Sequence, residues 1–121
     1  MEFYELEIWK KGFELLLLIY KETANFPKEE KFNLVSQTRS AANSVIAQIA
    51  EAHGRFSYAD KIRVLYHARG EIEEVRSHLK VAYSLLYITK KVYDYLEKEY
   101  CGLGVGLNFY IKSLSKYKKK T

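Results

Sequence analysis

Proline, cysteine and glycine are scarce in this chain: one proline, one cysteine and six glycines among 121 residues. A single cysteine, Cys101, excludes an intrachain disulfide and any Cys-x-x-Cys metal module. It also fits a reducing, cytoplasmic setting. Long apolar runs are missing too. The stretch from Phe13 to Tyr20 is broken by Glu14 and falls short of the roughly 20 residues that a membrane span needs. Acids at Glu2, Glu5 and Glu7 argue against a signal peptide. His53, His67 and His78 form no metal pattern, and no Glu-x-x-His pair exists, so a di-iron bundle is excluded and no metal or cofactor is expected. No Ser-His-Asp or Cys-His arrangement stands out, and Cys101 has no base near it in sequence. Arg63 and His67 lie one helical turn apart. Their spacing is one residue short of the Arg and His pair of some helical ribonucleases, so no enzyme is expected.

A surplus of one charge is also lacking over most of the chain. Lys and Arg number 20 against 15 acids, and five lysines follow Ile111 with no acid among them. The whole excess of +5 therefore sits at the C-terminus. That argues against a body coated with positive charge, and the tail at 118–121 reads as a solubilising end.

What is present is helical periodicity. With few breakers, four helices are expected at about 4–24, 28–53, 58–87 and 90–117. Phe3, Leu6, Trp9, Phe13, Leu16, Leu17 and Tyr20 give the first its inner stripe. Asn25-Phe26-Pro27 ends it. Leu34, Thr38, Ala41, Val45, Ile49 and Ala52 form the second stripe, with Gly54 as its C-terminal cap. Ser57 caps the third helix, whose seam is Leu65, Ala68, Ile72, Val75, Leu79, Ala82 and Leu86. Thr89 caps the fourth, with Val92, Leu96, Leu103, Leu107, Tyr110 and Leu114 inward. The architecture expected is all-α: one domain over 1–117, an antiparallel up-down-up-down four-helix bundle. Gly102, Gly104 and Gly106 are its weak point, each costing about 1 kcal/mol relative to Ala, and are expected to kink the fourth helix or admit another chain. The fourth helix carries further apolar residues at Tyr93, Tyr100, Val105, Phe109 and Ile111, and the first at Leu15, Leu18 and Ile19. A surface helix needs one apolar stripe, so the surplus points to self-association.

Five blocks along the chain carry a resemblance. They are Tyr4-Glu-Leu6-Glu-Ile-Trp9-Lys10, Ile19-Tyr20-x-x-Thr23-x-x-Phe26-Pro27-x-x-Glu30, Leu34-x-x-Gln37-x-Arg39-x-Ala41-Ala42-x-Ser44, Ile49-Ala50-Glu51-Ala52-x-Gly54-Arg55, and Ala68-x-Gly70-Glu71-x-x-Glu74. Together they make the chain resemble the bacterial four-helix-bundle proteins first noticed as reading frames in the intervening sequences of 23S ribosomal RNA genes. The accessory variability determinant (Avd) proteins of diversity-generating retroelements belong to the same broad superfamily. The sequence departs from the pattern at Ala52, where Gly is usual, at Gln48, where Asn is common, and at Ser40, where a second Arg is common. The resemblance implies a ring-like homo-oligomer, typically a pentamer, with a basic surface. It also implies association with structured RNA, or with a retroelement reverse transcriptase and its RNA.

The residues themselves nominate Arg39, Arg55, Lys61, Arg63, Arg69, Arg76 and Lys80 as nucleic-acid contacts. Between His53 and Arg69 lie Arg55, Lys61 and Arg63 against one acid, Asp60, so this corner is the most basic part of the body. Phe56 and Tyr58 beside it can stack on bases. The plainer reading is a solvated corner with intrahelical ion pairs such as Arg69 with Glu73. Gln37, Arg39 and Glu51 are expected as a buried polar set at helix or subunit contacts, with Tyr93, Tyr100 and Phe109 serving packing between chains. The function expected is a non-catalytic, homo-oligomeric binder of structured RNA or DNA. An accessory subunit of a reverse transcriptase and a purely structural oligomer are the alternatives.

Overall fold

Helical periodicity and the scarcity of breakers are realised as four helices in the computed structural model, which describes residues 1–118. They are α1 (Glu7–Thr23), α2 (Ser36–Gly54), α3 (Tyr58–Ser84) and α4 (Lys90–Ser115). Each packs on its neighbour in sequence and α4 returns to α1, which makes an antiparallel four-helix bundle. Lysines 119 and 120 of the expected basic tail lie outside the described residues.

Capping chemistry sets the starts of α3 and α4. The Ser57 hydroxyl accepts from the Asp60 amide at 3.1 Å, and the Thr89 hydroxyl accepts from the Val92 amide at 3.2 Å. Three boundaries differ from expectation. Leu6 is extended (φ −69, ψ 132), so a short 3-10 turn at Phe3–Glu5 precedes α1 instead of continuing it. The segment after Pro27 is a 3-10 turn (Lys28–Glu30) and a widened turn (Lys31–Val35) in which Phe32 and Asn33 leave helical dihedrals, so regular helix begins only at Ser36. Gly54 does not cap with a left-handed residue; α2 simply stops where Arg55 turns extended at ψ 147. The left-handed position is Leu86 instead, at φ 65, which ends α3 early and leaves its side chain 84% exposed rather than in the seam.

The core joins Leu15, Ile19, Val45, Ile49, Leu65, Ile72, Leu96 and Leu107. The seams expected of α2 and α3 are buried as read, apart from Leu86. On α1 Leu16 faces the core as read, but it is joined there by Leu15 and Ile19 from the surplus set, while Phe13, Leu17 and Tyr20 of the expected inner stripe face outward. On α4, Tyr100 and Ile111 are buried, and Tyr110 and Leu114 are only half-buried. The glycines of α4 do not kink it: the helix runs unbroken from Lys90 to Ser115. Close approach is used instead at Gly12, where a Cβ would sit 2.6 Å from Ile46 Cγ2. Phe26 is buried against Tyr87, whose hydroxyl donates to Glu30 at 2.9 Å. These residues of the second block therefore close one end of the bundle.

Candidate nucleic-acid interface

The basic side chains divide by what holds them. Arg39 is a clamp on the end of α1. Its Nε donates to Thr23 Oγ1 at 2.9 Å and its Nη2 to the Tyr20 carbonyl at 3.3 Å, with the guanidinium over the Tyr20 ring at 4.5 Å. A cation there also faces the negative end of the helix dipole. Lys61 does the same for α2, donating to the His53 carbonyl at 2.7 Å. Arg76 is held protonated by hydrogen bonds to Glu97 first (2.6 Å) and Glu73 second (2.8 Å). Arg55 pairs with Glu51 at 3.4 Å and Arg63 with Asp60 at 3.3 Å. Lys80 lies over the Tyr93 ring at 5.4 Å.

The corner at 53–69 is therefore laced with ion pairs, as the plainer reading has it, though Arg69 does not pair with Glu73. Such exposed pairs are worth about 0–1 kcal/mol each, so they lower the local field more than they stabilise the fold. Phe56 beside the corner is 96% exposed, and Tyr58 packs on Tyr117 with ring centroids 5.4 Å apart. The expected buried polar set is not formed. Gln37 and Glu51 are exposed: Gln37 Nε2 donates to Asn33 at 3.2 Å, and Glu51 meets Arg55. Of the packing residues, Tyr100 is in the core of its own chain, and Tyr93 stacks on Tyr83 at 4.8 Å. Only Phe109 is open, at 68% exposure.

Arg69 differs from the other arginines: it neither pairs with an acid nor holds a helix-end carbonyl. Its Nη1 donates to Asn108 Oδ1 at 3.0 Å, and the guanidinium lies over the Tyr66 ring at 4.7 Å. It opens on a groove of about 350 Å³ between α3 and α4, lined by Ile62, Tyr66, Asn108, Lys112, Ser115 and Lys118 as well. Among the described residues no acid lines this groove, whereas hydroxyl, amide and cationic groups do. A phosphate is the group such a lining suits. Of the seven cations nominated from sequence, only Arg69 reaches it. Lys112 went unnoticed because it was counted with the C-terminal lysines, although α4 fixes it beside Ile111.

A second polar groove runs between α2 and α3, lined by Ser36, Gln37, Ser40, Ser44, Glu71 and Glu74. Burial, then a hydrogen bond to Glu74 and its charge, hold the Glu71 carboxyl above its ordinary value. The folded state thus binds this proton more tightly than the unfolded one, so stability falls as pH rises from the unfolded value through the folded one. Glu71→Gln is expected to raise Tm at pH 7, with the advantage fading below about pH 4, where the Glu71 carboxyl is protonated in the folded and unfolded protein alike. Thermal melts of the two proteins across pH check this.

No group of three or more metal-ligating side chains occurs among the described residues, and none of their helices is long and apolar enough to cross a membrane. The geometry defines an antiparallel four-helix bundle with a cationic groove along one helix seam. Residues 4–108 match the model of the 23S rRNA-intervening sequence protein family. The chain belongs to that family. It is also similar to a solved structure described as a protein of unknown function from the S23 ribosomal protein family of Bacteroides thetaiotaomicron VPI-5482. The TM-score is 0.80 at 26% identity, over 87% of this chain and 95% of the other. No curated protein matches the chain.

Proposed function

We propose that this protein is a non-catalytic, homo-oligomeric binder of structured RNA, holding phosphates in the groove at Arg69 and Lys112. The observation that carries the reading is the acid-free lining of that groove, in a chain whose other arginines are engaged with its own acids or carbonyls. The family's association with 23S ribosomal RNA intervening sequences supports RNA over DNA. Self-association, with a pentameric ring as the expected form, is supported by Phe13, Leu17 and Tyr20 outside α1 and by Tyr95 and Phe109 outside α4.

A second reading, an Avd-like accessory to a reverse transcriptase, draws on the 96% exposed Phe56 at the bundle's end, which suits a protein partner. The test is light scattering on the purified chain together with a salt titration of its binding to a base-paired RNA. A multi-subunit particle whose affinity falls steeply with salt is expected. A particle indifferent to RNA overturns the RNA reading in favour of a protein partner, and a monomer overturns the oligomer.

A further inference from the structure

The cationic groove does not end at Arg69. On the far side of the Arg69–Asn108 hydrogen bond the seam between α3 and α4 opens again, into a cleft of about 280 Å³. Its lining changes character: Ile72, Tyr100, Gly104 and Val105 are its apolar part. Its one acid and second cation, Glu73 and Arg76, are bridged to each other at 2.8 Å, so they add little net charge. A phosphate has no reason to enter here, while an uncharged, flat group does.

Tyr100 sets the chemistry. It is the largest fully buried side chain of the chain, and its hydroxyl has no hydrogen-bond partner. Buried polar groups are nearly always paired, so an orphan hydroxyl on a residue that lines a cleft marks a missing acceptor or donor. Burial also pushes the phenol up, which keeps it a neutral hydrogen-bonding group at physiological pH. Gly104, one turn on from Tyr100 along α4, leaves space beside it: a Cβ built there meets nothing within 4 Å.

We propose that this cleft receives an unstacked nucleobase of the RNA whose phosphates lie in the adjoining groove. The proposal rests on the RNA reading above, and it narrows the substrate to RNA with an unpaired nucleotide beside a helix. The two sites share Arg69 and Asn108, and their centres lie about seven residues apart along α3 and about nine along α4, or roughly 10–14 Å. That separation suits a base and a phosphate about two nucleotides apart on one strand. Arg69 then serves both, with its charge on the phosphate and its plane toward the base.

Two variants and one reporter test it. Gly104→Leu fills the cleft from an open helix position, and Tyr100→Phe removes the hydroxyl while keeping the ring. Each is measured on a stem with a single-stranded loop and on a fully paired duplex of equal charge. Expected are about a tenfold loss for Gly104→Leu and about a fivefold loss for Tyr100→Phe on the looped RNA, with the duplex unchanged. Neither variant is expected to lower Tm. Cys101, the only cysteine, is exposed and lines the same cleft, so its reaction with a thiol reagent reports occupancy without any RNA. A nucleoside monophosphate is expected to slow it severalfold.

Equal losses on both RNAs, unchanged binding to the looped RNA, or an unaltered Cys101 rate overturn the base site. A change of oligomeric state in Gly104→Leu also overturns it, and makes the cleft an interface between copies. Absence of salt-dependent binding to either RNA by the unaltered protein overturns the RNA reading itself; Cys101 protection by the nucleotide still decides the cleft.

Discussion

Replacing Arg69 and Lys112 together by Gln is expected to weaken binding to a base-paired RNA about 60-fold at about 0.1 M salt, since each phosphate contact scales as roughly the 0.9 power of salt concentration. The slope of log affinity against log salt is expected to become shallower by about 1.8. Both residues line the groove, and neither replacement removes a core side chain: Arg69 and Lys112 are exposed, and the recorded partners of Arg69 are a side-chain amide and an aromatic face. The same pair of replacements at Arg55 and Arg63 is expected to change the slope far less, because Glu51 and Asp60 already neutralise those guanidinium groups. Fluorescence anisotropy over a salt series separates the two pairs. A larger slope change for Arg55 and Arg63 than for Arg69 and Lys112 would mean that RNA is held at the corner between α2 and α3, not at the α3 and α4 seam.

The glycines are expected to divide with opposite signs. Gly12→Leu is expected to destabilise the bundle by about 3 kcal/mol or more, although leucine is by far the better helix former. The reason is contact: a Cβ at this position meets Ile46 Cγ2 at 2.6 Å and Leu103 Cδ2 at 3.6 Å, and both neighbours are buried. Ile46 is branched at Cβ and cannot swing its methyl away without changing rotamer. Gly102→Ala and Gly104→Ala are expected to stabilise by up to about 1 kcal/mol each, because nothing lies within 4 Å and the helix gains propensity. For a domain of this size that is about 3–4 °C of Tm per kcal/mol. Thermal or urea melts of the three variants check it. A stabilised Gly12→Leu would show that α1 and α2 shift apart freely.

Much of the bundle was legible because its causes are local. Ser57 and Thr89 cap their helices through contacts three residues away, and the seam from Leu65 to Ala82 has one apolar stripe with a single way to be buried. The widened turn at Lys31–Val35 was not legible. It is tied down by Glu30, which accepts from the Leu34 amide and from the distant Tyr87 hydroxyl. Nor was the absence of a buried polar set, since Gln37 and Glu51 find partners four residues away along the chain, just beyond either end of α2, instead of across an interface.

The sequence by itself determined four amphipathic helices, the caps of α3 and α4, the family and the balance of charge, because periodicity and spacing are properties of neighbours along the chain. Tertiary structure alone decided which stripe faces inward where a helix carries two. On α1 it chose Leu15, Leu16 and Ile19 over Phe13, Leu17 and Tyr20, since burial is settled by the surfaces that a helix meets. It also decided which cations remain available. Arg76 finds Glu97 and Arg69 finds Asn108 only when α3 and α4 lie side by side, so one guanidinium is neutralised by an acid and the other is not.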